Sequence, residues 1–186
     1  MDDGQIVSLY WARDEAAISE SAAKYGSYCR AIAWNILQSD GDADEIVNDT
    51  WLGAWNAMPP HRPSVLSTFL GKITRRLSLK RWRHRNAQKR GGGETALALD
   101  ELMDCIPAGK ALDERLEAED LVRLINAFLA SLPEAERQVF VRRYWYMSPI
   151  AEICKRYGFS KSKTESMLYR TRKKMLAKLN EEGVFL

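Results

Sequence analysis

Apolar side chains recur at three- and four-residue spacing along most of this 186-residue chain, and nowhere do they alternate with period two for the length of a strand. That spacing restricts the fold to packed helices. Tyr25, Tyr28, Cys29, Ile32 and Ile36 form one apolar stripe. After the turn Ser39-Asp40-Gly41, Asp42 is expected to cap a second helix, with Glu45 three residues on completing a capping box. Ile46, Val47, Trp51, Trp55 and Met58 give that helix an apolar side, and Pro59-Pro60 ends it. A third helix starts near Ser67 or Thr68 and buries Phe69, Leu70, Ile73 and Leu77. Gly91-Gly92-Gly93 then breaks regular structure, so a first helical domain is expected over residues 1–90.

Residues 91–112 are Gly-rich, acidic and weakly periodic, with Pro107 and Gly109 interrupting them, and are expected to be a flexible linker with little core of its own. A second domain follows over 113–186. Its first helix, about 113–130, carries Leu116, Leu121, Leu124, Ile125 and Phe128 on one face. Ser131-Leu132-Pro133-Glu134 reads as another capping box, opening a helix through Val139, Phe140 and Tyr144. Ser148 is expected to cap a short helix with Pro149 at its first position. Gly158 is placed to end it, and Ser160 to cap a last helix running to about Asn180. A short helix, a turn at Tyr157-Gly158-Phe159 and a longer basic helix make a helix-turn-helix pattern. The expected fold is all-α: two small helical domains joined by a flexible linker.

Charge is sorted along this frame. Lys and Arg number 28 against 25 Asp and Glu, a formal net charge of only +3 that argues neither for nor against a polyanionic partner. The average conceals blocks. Residues 1–49 hold ten carboxylates and three basic residues, whereas 61–90 hold ten Lys or Arg and no carboxylate. Residues 94–120 return to nine carboxylates against Lys110 and Arg115, and 134–182 carry twelve basic and six acidic residues.

Three constellations can carry function. On the last helix, Lys161, Ser162, Lys163, Ser166, Arg170, Arg172, Lys173 and Lys174 are expected outside and Met167, Leu168, Met175 and Leu179 inside. A major groove admits one helix, whose N-terminal side chains then meet base edges. The basic helix 68–90 presents Lys72, Arg75, Arg76, Lys80, Arg81, Arg83, Arg85, Lys89 and Arg90, which repel one another unless a polyanion neutralises them. Trp82 within it suits either a base-stacking face or a core position, and the spacing does not decide. The helix 42–57 sets Asp44, Glu45, Asn48 and Asp49 on one side with Trp51, Leu52 and Trp55 nearby, a mixture suited to a basic protein partner.

Other classes fit poorly. Asp40, Asp42 and Asp44 have the alternation of a calcium loop, but Glu45 stands at the glycine position and Trp51 at that of the bidentate Glu. The two histidines, His61 and His84, lie in the basic block, and Gly91-Gly92-Gly93 lacks the Lys-Ser/Thr of a phosphate loop. No enzyme, metal or cofactor is expected. Cys29, Cys105 and Cys154 form no C-x-x-C pair, fitting reduced thiols in a cytosol. The start Met1-Asp2-Asp3 shows no secretory signal, and no apolar run approaches the roughly 20 residues of a membrane span. A cytoplasmic protein without membrane insertion is expected.

The segment from Ser39 to Trp55 resembles the core-polymerase-binding segment of bacterial RNA polymerase sigma factors, and more specifically their extracytoplasmic-function branch, which keeps two conserved domains. Phe69 to Arg83 is similar to that family's promoter-melting helix. Leu132 to Phe140 and Ser160 to Leu176 resemble its C-terminal domain. The resemblance implies a promoter-specificity subunit with core RNA polymerase and promoter DNA as partners, and an anti-sigma factor as a further one. It implies that Asp44, Glu45, Asn48, Asp49, Trp51 and Leu52 meet core polymerase on a basic-lined coiled coil. It further implies that the loop Pro60–Ser67, with His61, Arg62, Ser64 and Ser67, captures a base flipped from the minus-ten element. Lys72, Arg75, Arg76, Lys80, Arg81 and Arg83 would hold the melted strand, and Lys161, Ser162, Lys163, Ser166, Arg170, Arg172 and Lys173 would read the minus-thirty-five duplex. The acidic linker would thread the polymerase's RNA channel. Arg76 and Lys80 stand where relatives commonly carry Asn and Asp, and Glu165 where a basic residue is common. A stand-alone helix-turn-helix regulator with a helical interaction domain is the rival reading; it leaves the melting helix without a use.

Overall fold

A computed structural model describes residues 1–86, 93–103, 118–182 and 184. The chain divides into two compact units, Met1–Gly91 and Gly92–Leu186. Every regular element among the described residues is helical, and none of those helices is long and apolar enough to cross a membrane.

The first unit contains α1 (Asp3–Trp11), α2 (Ala16–Leu37), α3 (Asp40–Ala57) and α4 (Leu66–Asn86). The apolar spacing does not mark α1. Asp2 opens it with a capping box to Gln5, and Ile6, Val7 and Tyr10 then meet the core. α2, α3 and α4 pack on one another around Cys29, Ile32, Ile36, Ile46, Met58, Leu66 and Leu70. Two buried hydroxyls join α3 to α4: Thr50 Oγ1 and Thr74 Oγ1 lie 3.0 Å apart, each also bonded to a carbonyl one turn back. Close approach of α2 to α4 requires a glycine. A Cβ on Gly71 would come within 2.5 Å of the Tyr28 hydroxyl.

Two first-unit expectations need correction. Ser39, not Asp42, caps α3, its hydroxyl accepting the Asp42 N–H at 3.4 Å, which leaves the Asp42 carboxylate for another partner. α4 begins at Leu66, slightly earlier than read, and buries Leu66, Leu70, Ile73 and Leu79, with Phe69 and Leu77 partly buried.

The second unit contains α5 (Gly93–Met103), α6 (Ala118–Ser131), α7 (Glu134–Tyr144), α8 (Ile150–Tyr157) and α9 (Lys161–Glu181). Helix α5 replaces much of the expected linker: Ala98 is fully buried and Glu101 is bonded into α7. Residues 91, 92 and 104–112 of that linker lie outside the described residues, as do Lys89, Arg90 and Leu116. The predicted caps before α7 and α8 do not form. Pro133 and Pro149 stand at those N-cap positions without side-chain caps, and the Ser131 hydroxyl donates instead to the Phe128 carbonyl at 2.7 Å. The end of α8 and the start of α9 are as read. Gly158 takes φ +66°, a left-handed cap that costs glycine nothing, and Ser160 Oγ accepts the Lys163 N–H at 3.2 Å.

Candidate nucleic-acid interface

A helix carrying a cation at nearly every other position presents charge all round, and packing decides which charges reach solvent. On α4, Lys72, Arg76, Lys80 and Arg83 are exposed at spacings of four, four and three, which is one continuous stripe. The remaining predicted contacts of this helix are differently placed. Arg75 is half-buried, and burial together with neighbouring Arg83 pushes its pKa down from the usual arginine value. Arg81 turns to the acidic start of α3. It makes a bidentate pair with Glu45 at 2.6 and 2.9 Å and a third bond to Asp42 at 3.0 Å. Those partners raise its pKa, Glu45 most, and Arg81 in turn holds the Glu45 carboxyl below its ordinary value. Arg85 reaches the other oxygen of Asp42 at 2.5 Å. The two arginines thus staple α4 to α3 rather than standing ready for a phosphate. Trp82 is half-buried beside them.

Above the stripe, a groove of about 380 Å³ lies between the end of α3 and α4, floored by Gly53, Phe69 and Ile73 and rimmed by His61, Lys72 and Arg76. The loop joining α3 to α4 supplies His61, Arg62 and Ser64, all exposed, and Ser67 is half-buried in the first turn of α4. An apolar floor with cationic edges suits a flat, anionic-backed group such as a nucleotide base.

Of the partner-facing residues expected on α3, Asp44, Glu45, Asn48 and Leu52 reach solvent. Asp44 shares Arg30 with Asp40, at 2.7 and 2.6 Å, so these acids clamp α2. Asp49 is half-buried and lines a groove with Lys80, Arg81, Arg83 and His84, facing α4. Trp51 requires correction: it is 5% exposed and belongs to the core cluster, because its side of the helix faces inward. Leu52, one residue on, is 59% exposed, an apolar side chain with no core role. Asn48, Leu52 and Trp55 with Ile18 line a shallow apolar groove beside it.

In the second unit α8 and α9 form the helix-turn-helix. Lys161, Ser162, Lys163, Ser166, Arg170 and Lys173 are exposed on α9, with Ser162, Ser166, Arg170 and Lys173 again at four, four and three. The turn is built on Tyr157 stacked against Phe159, and the Lys163 ammonium lies 3.9 Å from the Phe159 ring centroid. Tyr169, 55% exposed on the same helix, is a large surface aromatic outside the set expected to meet DNA. Lys174 is exposed but bound to Glu136 at 3.0 Å, and Glu165 lies 3.8 Å from Lys161.

Arg172 does not belong to that surface. It turns toward α5 and α7, bonding the Tyr144 hydroxyl and, at 3.4 Å, Glu101. Glu101 also takes Arg143 at 2.8 and 3.3 Å and the Tyr144 hydroxyl at 2.8 Å. Burial pushes the Glu101 carboxyl up, but hydrogen bonds from Arg143 and Tyr144 and the two guanidinium charges outweigh it, leaving its pKa lowered. Tyr144 is held protonated, first by burial and then by its bond to Glu101. A charged residue in a helix interior reads as exposed until its partner is known, and Glu101 is 71 residues away in sequence.

A basic helix beside a cationic groove in one unit and a capped helix-turn-helix in the other define a helical DNA-binding protein. The description Sigma-70 region 2 matches residues 22–88, and Sigma-70, region 4, matches residues 123–175. The chain belongs to the sigma-70 family, with the two-region organisation of its extracytoplasmic-function branch: a transcription initiation factor rather than an enzyme. No curated protein matches it. Among solved structures, that of CnrH in complex with the cytosolic domain of CnrY is similar at 21% identity and a TM-score of 0.40, covering 96% of this chain and 97% of that one.

Proposed function

We propose that this chain is the promoter-specificity subunit of a cytoplasmic RNA polymerase holoenzyme, with the first unit, α1 to α4, binding core polymerase and the melted minus-ten element and the second, α5 to α9, reading the minus-thirty-five duplex. The observation that carries this reading is the pair of exposed stripes, Lys72–Arg76–Lys80–Arg83 on α4 and Ser162–Ser166–Arg170–Lys173 on α9, set within matches to two regions of one initiation-factor family. The α4 stripe follows the phosphates of the non-template strand, and the groove beside His61 receives one extruded base. Extrusion costs a few kcal/mol, which the groove and phosphate contacts offset. On α9, Lys163 and Arg170 donate to base edges and Lys173 to the backbone, as a recognition helix in a major groove does. An anti-sigma factor is a further partner.

Core polymerase meets the outer stripe of α3. Asp44 and Glu45, each bound to an arginine of this unit yet still exposed, supply an acidic rim with Asn48, and Leu52 the apolar centre, the arrangement that concentrates binding energy at one buried anchor. Leu52→Arg tests this. The side chain is exposed, so the fold tolerates the change. Placing a cation against a basic partner is expected to weaken core binding by roughly 30-fold or more, about 2 kcal/mol. Pull-down with purified core polymerase reads it, with circular dichroism showing the helical content unchanged; wild-type retention of core by Leu52→Arg contradicts this docking face.

A further inference from the structure

We propose that Trp11, the last residue of α1, is a positioning residue for the loop between α3 and α4, so that base selectivity in the minus-ten element depends on a side chain that itself touches no DNA. This rests on the reading that the groove beside His61 receives an extruded base.

The loop is short and exposed, and His61 is its one residue facing both the groove and α1. On the groove side its ring tilts against Phe69, with centroids 6.5 Å apart, beside Lys72 and Arg76. On the other side the indole N–H of Trp11 donates to the His61 carbonyl at 3.2 Å, across a separation of fifty residues. The next residue uses the same side chain: the Arg62 guanidinium lies 5.4 Å from the centroid of the Trp11 ring, within cation–π range, and reaches the Ser8 hydroxyl at 3.5 Å. The base of the loop is pinned in parallel, since Arg13 donates to the Trp55 carbonyl at 2.7 Å and sits over the Trp55 ring.

Core packing alone does not account for this tryptophan. Trp11 is 39% exposed, whereas the core contacts of α1 come from Ile6, Val7 and Tyr10. What Trp supplies and Phe does not is the N–H, and that N–H is spent on the peptide whose side chain rims the groove. The His61 N–H is already held by the Ala57 carbonyl at 3.1 Å, so fixing its carbonyl as well constrains the backbone on both sides of its Cα and hence the direction of its Cα–Cβ bond, while Phe69 seats the ring and the cation–π contact holds Arg62 beside Trp11. Selectivity among bases comes from the fit of the pocket, so a loop free to shift by a fraction of its hydrogen-bond length accepts more than one base.

Trp11→Phe removes the N–H and keeps an aromatic face for Arg62. The test is initiation by holoenzyme, full-length chain with core polymerase, on a library randomised across both promoter elements, with transcripts sequenced. Wild type is expected to enrich one base strongly at the captured minus-ten position. Trp11→Phe is expected to reduce that enrichment about 2- to 10-fold, the population shift that loss of one hydrogen bond allows, with preferences in the minus-thirty-five element unchanged. Trp11→Ala, which also loses the seat of Arg62, is expected to flatten it further. A selective wild type with an identical Trp11→Phe profile overturns the positioning role alone. A loss spread evenly over both elements is a folding defect and also overturns it. A wild type that enriches no base in the minus-ten element overturns the base-capture reading and this role with it.

Discussion

Glu101→Ala is expected to destabilise the second unit by about 3–5 kcal/mol, the cost of taking the carboxylate away from a buried charge. The Arg143 side chain is fully buried, and Glu101 meets it through both oxygens while also accepting from Tyr144 and Arg172. Against a domain stability of about 5–15 kcal/mol, such a loss is a large share. Amide hydrogen exchange reads it directly: protection in α5, α7 and α9 should collapse while α2, α3 and α4 keep theirs. Glu101→Gln retains an acceptor without the charge and should fall between. The network also sets an acid limit. Because the folded pKa of Glu101 lies below the ordinary 4.5, its contribution is fully present above that value and is lost as pH falls through the folded pKa. Acid unfolding of the second unit should therefore begin below pH 4.5 and be blunted in Glu101→Gln. Unchanged protection in Glu101→Ala would mean that Arg143 is held by its other bonds, such as that to the Ser148 carbonyl.

Neutralising Lys72, Arg76 and Lys80 together is expected to weaken holoenzyme binding to fork-junction DNA with a single-stranded minus-ten element on the order of 100-fold at 0.1 M salt. Each phosphate contact to a single strand contributes about 0.7 to the salt slope, so three should lower it by about 2. The substitutions are on an exposed helical face and leave the fold intact. Arg81→Ala is the internal comparison. Its guanidinium is committed to Glu45 and Asp42, so the slope should change little despite its neighbouring position. An Arg81→Ala effect equal to that of any stripe residue would show that the staple opens on DNA.

These two results bear on residues that sequence alone sorted differently. Helices α2, α3, α4 and α9 were legible because each carries an apolar stripe long enough to mark its period. Gly158 and Ser160 were legible because a left-handed stop and a hydroxyl cap are local chemistry. Helix α1 was missed although Asp2 and Gln5 form its capping box, since only three of its residues are buried. Helix α5 read as linker because its acidic composition hides one buried alanine and one carboxylate whose arginine lies 42 residues away. The same distance problem governs the site. Ten cations in thirty residues announce a polyanion, but which of them are spent on Asp42 and Glu45 depends on where α3 crosses α4. Trp51 fits both the apolar stripe of α3 and its partner face, and one side chain cannot serve both; the core has it.

Run-off transcription tests the sigma assignment most directly. Purified full-length chain added to core RNA polymerase on a library of promoter templates is expected to yield transcripts that start at a fixed distance from paired minus-ten and minus-thirty-five elements, and none when the chain is omitted. Absence of promoter-dependent initiation from every template, alongside tight duplex binding by the chain alone, would contradict the assignment and favour a stand-alone helix-turn-helix regulator.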